Sequence, residues 1–364
     1  MDNWLFTSSL TMSRAQAVRG SSAGTLRSTA LLHGTRFLAG FLLLLASSGI
    51  FAEDSNVPAD PRAFDVSPRV EVPHACCRQE DALWFLSTRS ITSEPACVDL
   101  NNPNIRVLKL DRCGFRQPAS WGEYWEQHPR GMRVIYVHGN RMNAEETLKR
   151  ALFVYRQIIK YRSADQPPVH WTIWSWPSEK EGILLRDFRV KAQRADAQSL
   201  YLGWLLRESI QQGHRPKLIG FSFGARVTTG ALHCLAGGAV VGRRLPGETI
   251  QHSDLSLGLL APAIGEDWLR TGGRHGLATR NLKHLTVLYN ESDAVLRRYP
   301  LLDRGSAALG YNGPRGFAPR TDGRRLDVVS KNCSSALGRR HIEEEYYRHP
   351  CLAGHAISQM LMVP

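Results

Sequence analysis

The chain has 364 residues, with 46 Lys+Arg against 33 Asp+Glu and a formal net charge of +13. The basic residues are scattered, without an arginine-rich helix or an aromatic-interleaved basic patch. That pattern argues against nucleic-acid binding and describes a solvated basic surface able to associate with anionic envelope polymers or lipids. No internal repeat is visible.

The N-terminus reads as a processing signal. Arg14, Arg19, Arg27 and Arg36 lead into the apolar run Phe37 to Ala46, and Asp2 is the one acid in the first 52 residues. A basic leader, a short apolar core and Ala52 before Glu53-Asp54 predict an exported protein cleaved near residue 52. The alternative is an N-terminal membrane anchor, but an apolar stretch of about 15 residues is short for a span, which needs roughly 20. Without residues 1–52 the chain keeps 312 residues and a net charge near +10, enough for one large domain. Residues 53–80 are Pro- and Asp-rich and predict an irregular extension, leaving 81–364 as the domain. The seven cysteines, Cys76, Cys77, Cys97, Cys113, Cys234, Cys333 and Cys351, all lie beyond the leader, where an oxidising compartment permits disulfides. The odd count leaves a thiol over, and Cys234 is the expected buried free one. No cysteine or histidine spacing suits zinc, so no metal is expected.

Along the domain, β-rich runs alternate with helical patterns. Leu83–Thr88 and Ile105–Leu110 predict two early strands, and Arg133–Val137 a third, continuous enough to be buried on both faces. Asn143 with Glu146 predicts a capping box opening a helix to Tyr161, with Leu148, Ala151, Leu152, Tyr155 and Ile158 at helical spacing. A strand at His170–Trp176, a helix from about Val190 to Gln212, and strands at Leu255–Leu260, Leu285–Tyr289 and Leu326–Ser330 follow. Residues 303–324 are the one long irregular insertion, and a helix closes the chain. Strands alternating with helices call for an α/β fold, a mostly parallel central sheet with helices on both faces. In such sheets, sites form at the strands' C-terminal edge.

The most informative segment is Gly220-Phe221-Ser222-Phe223-Gly224. It lies between the apolar run Lys217-Leu218-Ile219 and a helical stretch beginning at Ala225. Strand, G-x-S-x-G, then helix is the layout of a nucleophile elbow, with Gly220 and Gly224 leaving room for a sharp turn. A serine nucleophile needs a base, an acid to orient it and donors for an oxyanion. After the third strand, His138-Gly139-Asn140-Arg141 forms a glycine turn. The backbone N–H of Asn140 or Arg141, with that of Phe223, is the expected oxyanion hole, and His138 and Gly139 are expected to build the turn. Asp293 just past a strand end is the expected orienting acid, with Glu291 and Asp267 as alternatives. An ordinary helix N-cap is its bland reading. In the chain order Ser, acid, His, the base comes from His341, His349 or His355, and His341 fits the loop after the last strand best, with His355 next.

These residues resemble the alpha/beta-hydrolase superfamily, and within it a bacterial branch of largely uncharacterised hydrolases. The likeness is carried by His138-Gly139-Asn140, Trp176-Pro177-Ser178, Asp187 with the helix after it, and the Gly220–Gly224 elbow. Asp293 matches the branch's acid after strand seven. Phe221 replaces the usual histidine before the nucleophile, and Ala261-Pro262-Ala263 lacks the acid usually found after strand six. The resemblance implies a Ser-His-Asp triad and a covalent acyl-enzyme, with no cofactor. It leaves ester, amide and acyl-transfer chemistry open. A small-molecule or lipid ester is the expected substrate. The alternative is a catalytically silent domain of the same fold that binds an anionic envelope component.

Overall fold

The computed structural model describes residues 78 and 80–362, apart from 112–113, 128–130, 164, 182–184, 304 and 349. The leader, most of the 53–80 extension, Cys76, Cys77, Cys113 and His349 lie outside the described residues.

The order in the chain is β1 (Ala82–Ser87), β2 (Arg106–Leu110), β3 (Arg116–Pro118), α1 (Trp121–Glu126), β4 (Met132–Val137) and α2 (Ala144–Ile159). It continues with β5 (Val169–Ser175), α3 (Leu185–Gln211), β6 (Lys217–Phe221), α4 (Phe223–Leu235), β7 (Leu255–Leu260) and β8 (Leu282–Tyr289). The last elements are α5 (Leu309–Asn312), β9 (Asp327–Asn332), α6 (Ser334–Leu337), α7 (Glu343–Tyr347) and α8 (Ala353–Met362). Among the described residues these strands form one nine-stranded sheet in the order β3-β2-β1-β5-β4-β6-β7-β8-β9. From β1 through β9 the neighbours run parallel, and β2 and β3 join antiparallel at one edge.

The sequence explains the layering. The β5 and β7 strands are buried at every position, as expected of strands covered on both faces. The capping box that opens α2 is present: Asn143 accepts from the Glu146 N–H and Glu146 accepts from the Asn143 N–H. The buried stripe of α2 is the predicted one, widened by Thr147 and Val154. After β4 the chain steps one way to β5 and then crosses back over β4 to β6. With right-handed crossovers, α2 and α3 therefore cover opposite faces. This reversal sits beside β4 and leaves a crevice at the C-terminal ends of β4 and β6, where such sheets bind ligands.

Two parts differ from the sequence expectation. The 303–324 insertion contains α5, and it is tied to the loop after β7 by Leu309 N–H to Ile264 O and Gly310 N–H to Pro262 O. Its far end is anchored by Arg320, which donates to Asp254 and Asp322. The helix expected from Val190 begins earlier, at Leu185, placing Asp187 in its first turn. A disulfide joins Cys333 to Cys351, and Cys234 is a buried free thiol pushed up to about 12 by burial.

Candidate active site

Ser222 stands between β6 and α4 at φ 51° and ψ −116°. A serine in that region carries strain of about 1–3 kcal/mol, which persists only when its surroundings over-determine it. They do so here. Ser222 N–H donates to Leu260 O at 3.0 Å, and Ser222 O accepts from the Ala225 and Ala263 N–H groups. Gly224 is required because a Cβ there would strike the Val137 carbonyl, and Gly139 because a Cβ would lie 2.8 Å from the Phe221 ring. The loop after β4 and the elbow after β6 thus touch backbone to backbone.

The structure brings three distant side chains into one line. His341 Nε2 is 2.9 Å from Ser222 Oγ, and His341 Nδ1 is 2.6 Å from Asp293 Oδ2. With a buried carboxylate at Nδ1, the imidazole proton belongs there. Nε2 is then the acceptor facing the serine hydroxyl. Asp293 makes the contacts expected of both readings. Its Oδ1 accepts from the Val295 and Leu296 N–H groups at 2.8 and 2.9 Å, capping the turn that follows, while Oδ2 faces the imidazole. The loop carrying His341 is held by Asn290 Nδ2, which donates to Gly338 O at 2.8 Å, and by Ala294 N–H to Arg339 O. The Cys333–Cys351 disulfide brackets it from both sides. Neither Asn290 nor the disulfide was legible as part of the site; an asparagine directly after a strand end is a weak signal. Phe221 packs its ring against the His341 imidazole at 5.3 Å.

The other candidates lie elsewhere. His355 is exposed on α8 with its ring against Tyr161. Glu291 is exposed and accepts from Asn332, and Asp267 is exposed in the loop after β7. His138 is buried, and burial first, then Arg89, holds its pKa well below the usual histidine value. Its Nδ1 meets Gly139 O at 2.8 Å and its Nε2 accepts from Trp176 N–H, so it is a neutral brace between two loops.

The expected oxyanion donors need one correction. Arg141 N–H donates to Ser178 O at 2.7 Å and to Asn140 Oδ1 at 2.9 Å, so it is committed to the Trp176-Pro177-Ser178 turn. The N–H groups of Phe223 and Asn140 have no acceptor among the described residues, nor does the buried Asn140 side-chain Nδ2. Nearby, Tyr136 donates to buried Glu343 at 2.8 Å and Arg150 lies 3.5 Å from the same oxygen. Burial nevertheless pushes the Glu343 carboxyl up to about 7. A cavity of about 330 Å³ opens beside Phe223.

A strained serine between β6 and α4, beneath a glycine turn from β4, with an acid after β8 and a histidine after β9, leaves little choice of architecture. This is the alpha/beta-hydrolase fold. Among solved structures the chain is similar to acyl-protein thioesterase 2 of Zea mays, at 14% identity and a TM-score of 0.36 over 64% of this chain and 94% of that one. It is also similar to an inhibited esterase B from Lactobacillus rhamnosis, at 13% identity and a TM-score of 0.37 over 90% and 94%. A third is an esterase of Pyrobaculum calidifontis, at 13% identity and a TM-score of 0.30 over 71% and 78%. At that level of likeness the hydrolase fold is read from this chain's own sheet and elbow. No protein-family model and no curated protein matches the chain.

Proposed function

We propose that this chain is an exported serine hydrolase that cleaves a carboxylic ester through an acyl-enzyme. The observation that carries this reading is the hydrogen-bonded line Asp293–His341–Ser222, at 2.6 and 2.9 Å. In the proposed cycle His341 Nε2 takes the Ser222 proton as Oγ attacks the acyl carbonyl. The imidazolium that forms is stabilised by Asp293 through Nδ1–H. The developing oxyanion meets the N–H groups of Phe223 and Asn140. Collapse breaks the ester C–O bond, and the imidazolium returns its proton to the leaving alkoxide. A water molecule then loses a proton to His341 and attacks the acyl-serine, releasing the acid and restoring Ser222.

Export is supported by the basic, apolar leader and by the Cys333–Cys351 disulfide, which suits an oxidising compartment. The test is labelling of the purified protein with a fluorophosphonate probe, beside Ser222→Ala and a heat-denatured control. Labelling of the native protein that disappears in both controls is the expected result. A well-folded native protein that takes up no label refutes the proposal and leaves a binding domain of the same fold.

A further inference from the structure

We infer that the cavity lined by Phe223, the residue after Ser222, is an acyl subsite for a chain that is apolar near the ester and anionic at its far end. This deepens the proposed hydrolase reading and rests on it. The cavity, about 330 Å³, is at the small end of ligand pockets, so it suits one extended chain rather than a ring system. Phe223, whose N–H is one of the donors without an acceptor next to Ser222, and Phe188, stacked on it at 6.4 Å, both line the cavity. This aromatic pair is the apolar part of the wall, and one peptide bond joins Phe223 to Ser222.

The polar side carries an uneven charge. Arg226 is buried and pairs with Asp196 through two 2.8 Å hydrogen bonds, and Arg274 reaches the same carboxylate at 3.0 Å. Asp303 lies 3.9 Å from Arg226 and 3.6 Å from Arg274, which closes a balanced network of two cations and two anions. Arg189 also lines the cavity, is exposed, and makes no ion pair or side-chain hydrogen bond among the described residues. The wall therefore carries one positive charge in excess, at the solvent side. Arg274, 40% exposed, flanks the cavity as well.

The mouth carries a second, independent mark. Val241 lines the cavity, is 59% exposed and sits at φ 49°. A β-branched residue in that region is an outlier. It occupies a two-residue turn closed by Val240 and Arg243, with Gly242 at φ 74° beside it, where Asn-Gly is the favoured pair. The chain thus holds an apolar side chain at the cavity mouth in a conformation that asparagine would adopt more easily. Strain of this kind concentrates where a ligand is clamped.

The test compares p-nitrophenyl hydrogen adipate with p-nitrophenyl hexanoate, which share a six-carbon acyl chain and differ by a terminal carboxylate. The quantity read is the ratio of their kcat/KM values. Arg189→Ala is expected to lower the ratio about 2- to 5-fold, the range of an exposed ion pair. Arg189→Glu is expected to lower it further, and 0.5 M salt to erode the wild-type preference. The same charge change far away, Lys149→Glu on α2, is the control. A ratio that Arg189→Glu leaves unmoved, or that Lys149→Glu shifts equally, overturns the inference. Val241→Asn is expected to raise the melting temperature yet weaken use of both chains. A melting temperature raised with unchanged kcat/KM also counts against the subsite. Should the wild type turn over neither ester, the hydrolase reading falls. The subsite is then read by calorimetry of monomethyl adipate on Ser222→Ala and on Ser222→Ala/Arg189→Glu. Weaker binding to the second supports it, and equal binding overturns it.

Discussion

The disulfide that brackets the His341 loop makes a quantitative prediction. Cys333 and Cys351 are 18 residues apart, and His341 and Glu343 lie between them. Opening that loop in the double variant Cys333→Ser/Cys351→Ser returns the loop-closure entropy to the unfolded chain. For a loop of this length the chain-entropy relation gives about 3 kcal/mol at 25 °C. For a domain of this size that corresponds to roughly 5 °C in melting temperature. The native loop keeps its other anchors: Asn290 to Gly338, Ala294 to Arg339, and the bond from Tyr136 to Glu343. Turnover per folded molecule should therefore fall less than stability does, by under about tenfold. Urea unfolding at matched redox conditions, with ester turnover measured well below the midpoint, checks both. A variant as stable as the wild type to within about 0.5 kcal/mol refutes the reasoning, because the loop would then be equally restricted in the unfolded chain.

Three further outcomes follow from the site. Asp293→Asn keeps a capping oxygen but no longer fixes the proton on His341 Nδ1, so kcat should fall about 10²- to 10⁴-fold with little change in melting temperature. Asp293→Ala should add about 1 kcal/mol of lost capping, and a melting curve of each variant separates the two effects. Gly224→Ala drives a methyl group into the Val137 carbonyl, and overpacking of that kind costs about 1–3 kcal/mol or more, read by thermal unfolding. Glu343 is pushed up by burial from 4.5 to about 7, so its contribution to stability is full below pH 4.5 and is lost as the pH rises through 7. The size is about 3 kcal/mol, and Glu343→Gln should remove that share of the pH dependence. Parallel slopes for wild type and variant between pH 5 and 7.5 count against it.

Much of this architecture is local and therefore legible. The β4, β5 and β7 runs are dominated by apolar and aromatic residues, and the elbow is a short motif whose strand and helix announce themselves. Asp293 was readable because an acid at a helix start has a local cause, its capping bonds, even before its second oxygen is known to face an imidazole. The features that escaped depend on elements meeting in space. Arg141 loses its N–H to Ser178, from a different strand's loop, and no local pattern encodes that. The Arg226–Asp196 pair joins α4 to α3, and the Cys333–Cys351 pairing depends on how α8 docks. The β3 strand and α1 were passed over for another reason: three and six residues are too few to establish a period.

The 119-position separation between Ser222 and His341 has a consequence in time. The elbow forms where β6 meets α4, but its histidine comes only after β7, β8 and the edge strand β9 in the chain. Until those strands have docked, Ser222 is an ordinary hydroxyl with no base beside it. Contacts of such sequence separation form late, since loop closure must precede them. On the proposed mechanism, a half-assembled chain therefore lacks its general base, and a reactive serine would come into being only together with the finished sheet.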